Sequence, residues 1–150
     1  MTSNPIRVVV AEDHARVRAG ICSILDHEAH ILIVGEASDG IEALNLVEEL
    51  SPDVLLLDVE MPKLNGRQVA QYMRANGLAA RVLVLSAHDD KEYITGMLES
   101  GAAGYLTKDE APDYLIKAVC RVATGEGVWV SKKIKDDIKS WVKSDSNESD

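Results

Sequence analysis

Residues 55–66 read LLLDVEMPKLNG, and this stretch decides how the rest of the chain is read. Val54 and three consecutive leucines form an apolar run with no polar side, as expected of a parallel strand covered on both faces. The run ends on Asp58, a carboxylate that an interior rejects unless it is paired. Met61-Pro62 and Gly66 then turn the chain. A buried strand that delivers an acid at its end calls for a fold in which strand ends form a site.

The neighbouring runs repeat the pattern. IRVVVA (6–11), HILIVGEA (30–37), DVLLLD (53–58), RVLVLSA (81–87) and AGYLTK (103–108) read as strands. Between them lie segments of helical spacing at 14–27, 40–50, 67–75, 91–99 and 112–123. Val17, Ile21, Ile24 and Leu25 recur at three- and four-residue steps, as do Ile41, Leu44, Val47 and Leu50. Five βα units predict an α/β fold: a doubly wound, five-stranded parallel sheet with right-handed crossovers. After the stop signal GEG (125–127), VWVS leads to a further helix. Ser131 is its expected N-cap, and Ile134, Ile138, Trp141 and Val142 share one face. The expected division is therefore a main domain over 1–128, a linker or C-terminal helix over 129–143, and a polar, disordered tail over 144–150.

At 150 residues the chain is long enough to bury a core, and 46% of it is hydrophobic. Its net charge of −9 argues against a chain whose main task is gripping nucleic acid. Residues 1–130 carry that charge and residues 131–150 are neutral, so the acidity belongs to the body. No apolar run approaches the roughly 18 residues of a membrane span, and no secretory signal opens the chain. Cys22 and Cys120 lack metal-site spacing and read as buried free thiols. Together these features predict a cytoplasmic protein without membrane contact.

Ligands of open parallel α/β sheets bind beyond the carboxyl ends of the strands. The first strand delivers Glu12 and Asp13 there, the third Asp58, the fourth Ser86 and Ala87, and the fifth Lys108. The second ends in Glu36 and Ala37, which suggest no chemistry. Each residue alone has an ordinary explanation: a helix cap for Asp13, a strand-end hydroxyl for Ser86, a surface lysine for Lys108. Their convergence on one edge is harder to explain that way. Clustered carboxylates repel, and a divalent cation relieves them; oxygen donors with few protein ligands suit Mg²⁺. A carboxylate can also attack phosphorus to give an aspartyl-phosphate.

AEDHARVRAG (11–20), LLLDVEMPKLNG (55–66), VLVLSAHDD (82–90) and GAAGYLTKDEAPDYL (101–115) closely resemble the receiver domain of bacterial two-component response regulators, NarL/LuxR-type subfamily. The resemblance covers residues 5–128, and the spacings agree: 45 residues from Asp13 to Asp58, 28 on to Ser86, 22 on to Lys108. It implies sheet order 2-1-3-4-5 and a phosphorylation-dependent switch. Asp58 would accept a phosphoryl group from a sensor histidine kinase. Asp13 and Asp58 would bind Mg²⁺ directly, Glu12 through water, and Glu60 by its backbone carbonyl. Ser86 and Lys108 would contact the phosphoryl group, while Ser86, Ala87 and Tyr105 would switch. Glu60 and His88 border the path of the attacking water and are expected to set phosphoryl lifetime.

Three features depart from the usual pattern. Lys108-Asp109 replaces Lys-Pro, so a cis bond is not expected there. Ser86 replaces the commoner threonine. Ala111 precedes Pro112 where a better cap is expected, so the start of helix five is expected to fray. The helix-turn-helix domain usual in the subfamily does not fit in the residues after 128. DNA would thus be reached only through a domain absent from this chain, transcription being the implied output. A stand-alone receiver acting through protein contacts is the alternative. The helix over 131–143 either docks on its own domain or offers a homodimer contact. An aspartyl phosphohydrolase is disfavoured because Glu60, not Asp, stands two residues past Asp58. A flavodoxin-like binder is disfavoured because no Gly-rich loop follows the first strand, and a receiver that never takes phosphate because every chemical position is filled.

Overall fold

The computed structural model describes residues 4–148, with side chains to residue 144. The continuous apolar runs form a six-stranded parallel sheet, β1 (Ile6–Ala11), β2 (Ile31–Ala37), β3 (Val54–Leu57), β4 (Arg81–Ser86), β5 (Gly104–Thr107) and β6 (Trp129–Val130), in the order β2-β1-β3-β4-β5-β6. Six helices connect or follow them: α1 (Ala15–Asp26), α2 (Gly40–Leu50), α3 (Gly66–Ala75), α4 (Lys91–Glu99), α5 (Ala111–Thr124) and α6 (Lys132–Glu148).

Strand side chains alternate between two cores, as the pleat dictates. Val9, Leu55, Leu57, Val82, Val84 and Tyr105 face a cluster shared with Val47 of α2, Val69 and Met73 of α3, and Ile94 and Met97 of α4. Val8, Val10, Leu56, Leu83, Leu85 and Leu106 face the opposite cluster, with Leu25 of α1 and Leu115 and Val119 of α5. Val54–Leu57 are all essentially inaccessible, so the strand that carries Asp58 is held rigidly from both sides.

The structure departs from the sequence-based expectations at the C-terminal end and at two smaller points. The sheet has a sixth strand: Trp129 and Val130 pair in parallel with Gly104 and Tyr105. A two-residue run is too short to show a period, and only the exposed edge of β5 calls it into the sheet. Helix α6 continues through residues 144–148, where a disordered tail was expected, and residues 149–150 lie outside the described residues. No Gly or Pro interrupts 131–150, and a nucleated helix propagates at little cost per residue. Ser131 caps α6 as expected, its Oγ accepting from the Ile134 N–H at 3.3 Å. Of the predicted apolar face, Ile134 is fully buried and Ile138 and Trp141 pack on the first core, while Val142 is exposed. The helix docks on its own domain.

The start of α5 is braced rather than frayed. Thr107 and Glu110 form a capping box across a 3-10 turn (Lys108–Glu110), the Thr107 hydroxyl donating to Glu110 Oε1 at 2.8 Å. No cis peptide occurs among the described residues. Cys22 and Cys120 are free but only half-buried, each on the rim of its helix's apolar stripe. Among the described residues no helix is long and apolar enough to cross a membrane.

Candidate phosphoryl and metal site

The carboxyl ends of β1, β3, β4 and β5 bring the expected residues to one edge. Glu12 follows β1 and is buried; its N–H donates to the Ala37 carbonyl, and its own carbonyl accepts from Arg18 at 2.7 Å. Asp58 follows β3, nearly buried, its N–H held by the Ala11 carbonyl at 3.1 Å. Its Oδ1 accepts from the Glu60 N–H at 3.2 Å, which fixes the carboxylate over the turn. Lys108 reaches back from the start of the 3-10 turn. Its Nζ lies 2.8 Å from Glu12 Oε1 and 3.3 Å from Asp58 Oδ2, bridging two acids 46 residues apart in sequence.

Electrostatics record the crowding. Burial pushes the Glu12 carboxyl up to about 8, and the adjacent Asp58 adds to the rise while Lys108 opposes it. Burial works against the Lys108 charge, but the two acids more than compensate and hold its pKa above the ordinary value. Neutralisation is nevertheless incomplete: Glu12 Oε2 and Asp13 Oδ1 are buried and accept no hydrogen bond. Buried carboxylate oxygens without a donor are what a cation site leaves when described by protein atoms alone. Glu12, Asp13 and His14 place one ligand atom each within 4.8 Å of one another. His14 directly follows the acid pair, a position that carries no sequence signal of its own. Its ring is largely exposed, and Nδ1 stands 3.1 Å from Asp13 Oδ1 without the alignment of a hydrogen bond. A hard, oxygen-preferring ion such as Mg²⁺ fits the carboxylates better than the imidazole.

Ser86 is buried, and its Oγ accepts from the His88 N–H at 3.0 Å. Tyr105 is also buried, pointing inward, and donates to the His88 carbonyl at 2.7 Å. Burial pushes its hydroxyl up to about 12, with the Ser86 hydroxyl opposing the shift. Ala87 is exposed and lines a 300 Å³ cleft with Thr107 and Lys108. Glu60 and His88 come together beyond the acids, Nε2 to Oε1, at 2.6 Å. Tyr93, in the first turn of α4, completes this group; its ring stacks on His88 at 4.0 Å and its hydroxyl donates to the same Glu60 oxygen at 3.2 Å. No sequence signal singles out Tyr93, because only the packing of α4 brings it there. A 680 Å³ cleft runs beside this group, lined by Asp13, Glu60, Met61, Arg67, Tyr93 and Met97.

A parallel sheet of this order, with acids and a lysine at the strand ends, defines a receiver-type α/β domain, and comparison with known proteins gives its family. Residues 8–120 match the model of the response regulator receiver domain, and the chain belongs to that family. It is 40% identical over 134 residues to the transcriptional regulatory protein DegU of Brevibacillus brevis, spanning 89% of this chain and 56% of DegU. It is 43% identical over 130 residues to a NarL regulatory protein of Mycobacterium tuberculosis, spanning 84% of this chain and 60% of that protein. The chain thus covers little more than half the length of these relatives. The solved signal receiver domain of Mycobacterium tuberculosis NarL superposes with a TM-score of 0.80 at 42% identity, covering 83% of this chain and all of that one. A LuxR-family two-component response regulator from Aurantimonas sp. SI85-9A1 gives 0.85 at 28% identity, covering 91% of this chain and 97% of that one. The chain is a signalling receiver domain of the NarL/LuxR type.

Proposed function

We propose that this domain takes a phosphoryl group from a sensor histidine kinase on Asp58 and relays the event to a transcriptional output. The observation that supports this most is the Lys108 bridge to Asp58 and Glu12, which holds a cation beside a nearly buried carboxylate at the open end of β3. Asp58 attacks phosphorus with one carboxylate oxygen, and the phosphorus–nitrogen bond to the donor histidine breaks. Lys108 would neutralise a phosphoryl oxygen, and the Ser86 hydroxyl would donate to another, roles supported by the Lys108 contact with Asp58 and by the buried Ser86 at the same sheet edge. Mg²⁺ would be held by Asp13 and Asp58, by Glu12 through water, and by the Glu60 carbonyl. When bound, it would offset the charge of the carboxylates and of the phosphoryl oxygens.

Switching would run through Ser86, Ala87 and Tyr105, since the 86–90 segment joins the phosphoryl site to Tyr105 through His88. The output would be transcriptional, through a DNA-binding domain such as the curated regulators' names suggest, and a cytoplasmic location follows from such a role. A homodimer contact would then lie elsewhere than on the docked face of α6. The test is intact mass after treatment with acetyl phosphate and Mg²⁺. One added phosphoryl group, lost in Asp58→Ala, is expected; no addition, or addition that survives Asp58→Ala, overturns the reading.

A further inference from the structure

Strand β6 and helix α6 close the sheet on the side of the segment that carries Ser86. Val130 in β6 pairs with Tyr105 in β5. Ile134, in the first turn of α6, is fully buried in the cluster that holds Tyr105, Ile94 and Met97. Beside it, Lys133 Nζ lies 3.1 Å from Asp89 Oδ2. Asp89 directly follows His88, whose N–H holds the Ser86 hydroxyl and whose carbonyl holds the Tyr105 hydroxyl. Lys133 and Asp89 also line the 300 Å³ cleft shared with Ala87, Thr107 and Lys108. The beginning of α6 is therefore tied directly to residues 86–90 through Asp89, and indirectly through the Tyr105 cluster. On the proposed reading this is the segment that shifts when Ser86 reaches a phosphoryl group on Asp58.

We infer that Lys133 is a positioning residue for the phosphoryl site, holding residues 86–90 through Asp89 so that α6 docking and phosphorylation of Asp58 oppose each other. The inference rests on the reading of Asp58 given above. Opposition of this kind is reciprocal: whatever factor phosphorylation takes from α6 docking, docking takes from the phosphorylated state. Both members of the pair are about half exposed, which limits the coupling to about two- to fivefold.

The test uses the whole chain. Hydrogen exchange of α6 is measured with and without acetyl phosphate and Mg²⁺, while intact mass reports the phosphoryl group. The α6 amides are expected to exchange about two- to fivefold faster in the phosphorylated chain. Lys133→Ala is expected to show that faster exchange without phosphate, and to raise the steady-state ratio of phosphorylated to free chain by a similar factor. The charge swap, Lys133→Asp with Asp89→Lys, restores both values, which loss of general packing would not allow. Unchanged α6 exchange in a chain that carries the phosphoryl group, or an unchanged ratio in Lys133→Ala, overturns the inference and leaves the Asp58 reading intact. Failure of Asp58 to take a phosphoryl group overturns both.

Discussion

His88 Nε2 lies 2.6 Å from Glu60 Oε1, joining the loop after β4 to the loop that follows the phosphoacceptor candidate. The contact links a chain of hydrogen bonds. Glu60 holds Asp58 through its N–H and His88 through its side chain, and His88 holds Ser86 and Tyr105 through its backbone. One residue pair thus touches the group that would be phosphorylated and the groups that would respond.

On the proposed reading the pair, with Tyr93 stacked on His88, borders the path of a water attacking the aspartyl-phosphate and would restrain it. Glu60→Ala with His88→Ala is expected to shorten the phosphoryl lifetime, by roughly 3–10-fold, a barrier change of about 1 kcal/mol. Tyr93→Phe keeps the stack and loses the bond to Glu60, so it should show a smaller change of the same sign. Dephosphorylation followed by intact mass or by labelled phosphate decides this. An unaltered rate in the double variant removes the role.

Mg²⁺ is expected to stabilise the chain by linkage, by about 2.7 kcal/mol at 100-fold over its dissociation constant. The orphaned oxygens of Glu12 and Asp13 would gain a cationic partner on binding. Thermal unfolding with and without saturating Mg²⁺ measures the gain, which Asp13→Asn should largely abolish. No shift in the unaltered chain would count against the metal site.

The sheet and the acidic edge were legible in the sequence because both are written locally. Runs such as VVV (8–10) and LLL (55–57), bounded by turn signals, read as two-sided strands, and the candidate site residues stand at their ends. Features that depend on distant packing were not. Trp129 and Val130 become a strand only because β5 presents an edge. Tyr93 reads as one helical aromatic among others until α4 lays it on His88. The Thr107–Glu110 box straddles a strand end and a turn, so the cap stands upstream of Ala111, outside the helical pattern that the sequence shows. The two cysteines follow an apolar stripe in sequence yet sit at its margin, where the helix surface is only half covered.

Acidity at the metal edge sets a pH dependence with a definite sign. Burial raises Glu12 from an ordinary 4.5 to about 8 in the folded chain. Between those values the folded state holds a proton that the unfolded state has released. Its stabilising contribution is present below about 4.5 and is lost as pH rises through about 8. In chelator, the melting temperature should fall from pH 5 to 8.5, with Glu12→Gln flattening that fall. Mg²⁺ needs the ionised carboxylates, so its stabilisation should grow over the same interval. A chelated chain whose stability rises with pH, unaffected by Glu12→Gln, contradicts this assignment.

Gly66 closes the turn that began with Asp58. A β-carbon there would stand 2.8 Å from the Val59 Cα and 3.0 Å from the Asp58 carbonyl, and both are backbone that cannot step aside. The Gly66 N–H also donates to the Val59 carbonyl at 2.8 Å, so the helix and the loop approach each other as closely as atoms permit. Gly66→Ala is therefore expected to lower stability by about 1–3 kcal/mol, the usual cost of overpacking. It should also slow phosphorylation, because the displaced backbone is that of Asp58 itself. Gly20→Ala is the control. Gly20 sits within α1 with nothing within 4 Å of its added methyl, and the change should raise stability by about 0.5–1 kcal/mol. Urea unfolding of the two variants, with phosphorylation by acetyl phosphate in parallel, separates the effects. Loss of stability in Gly66→Ala with normal phosphorylation would mean that the turn supports the fold without setting the position of Asp58.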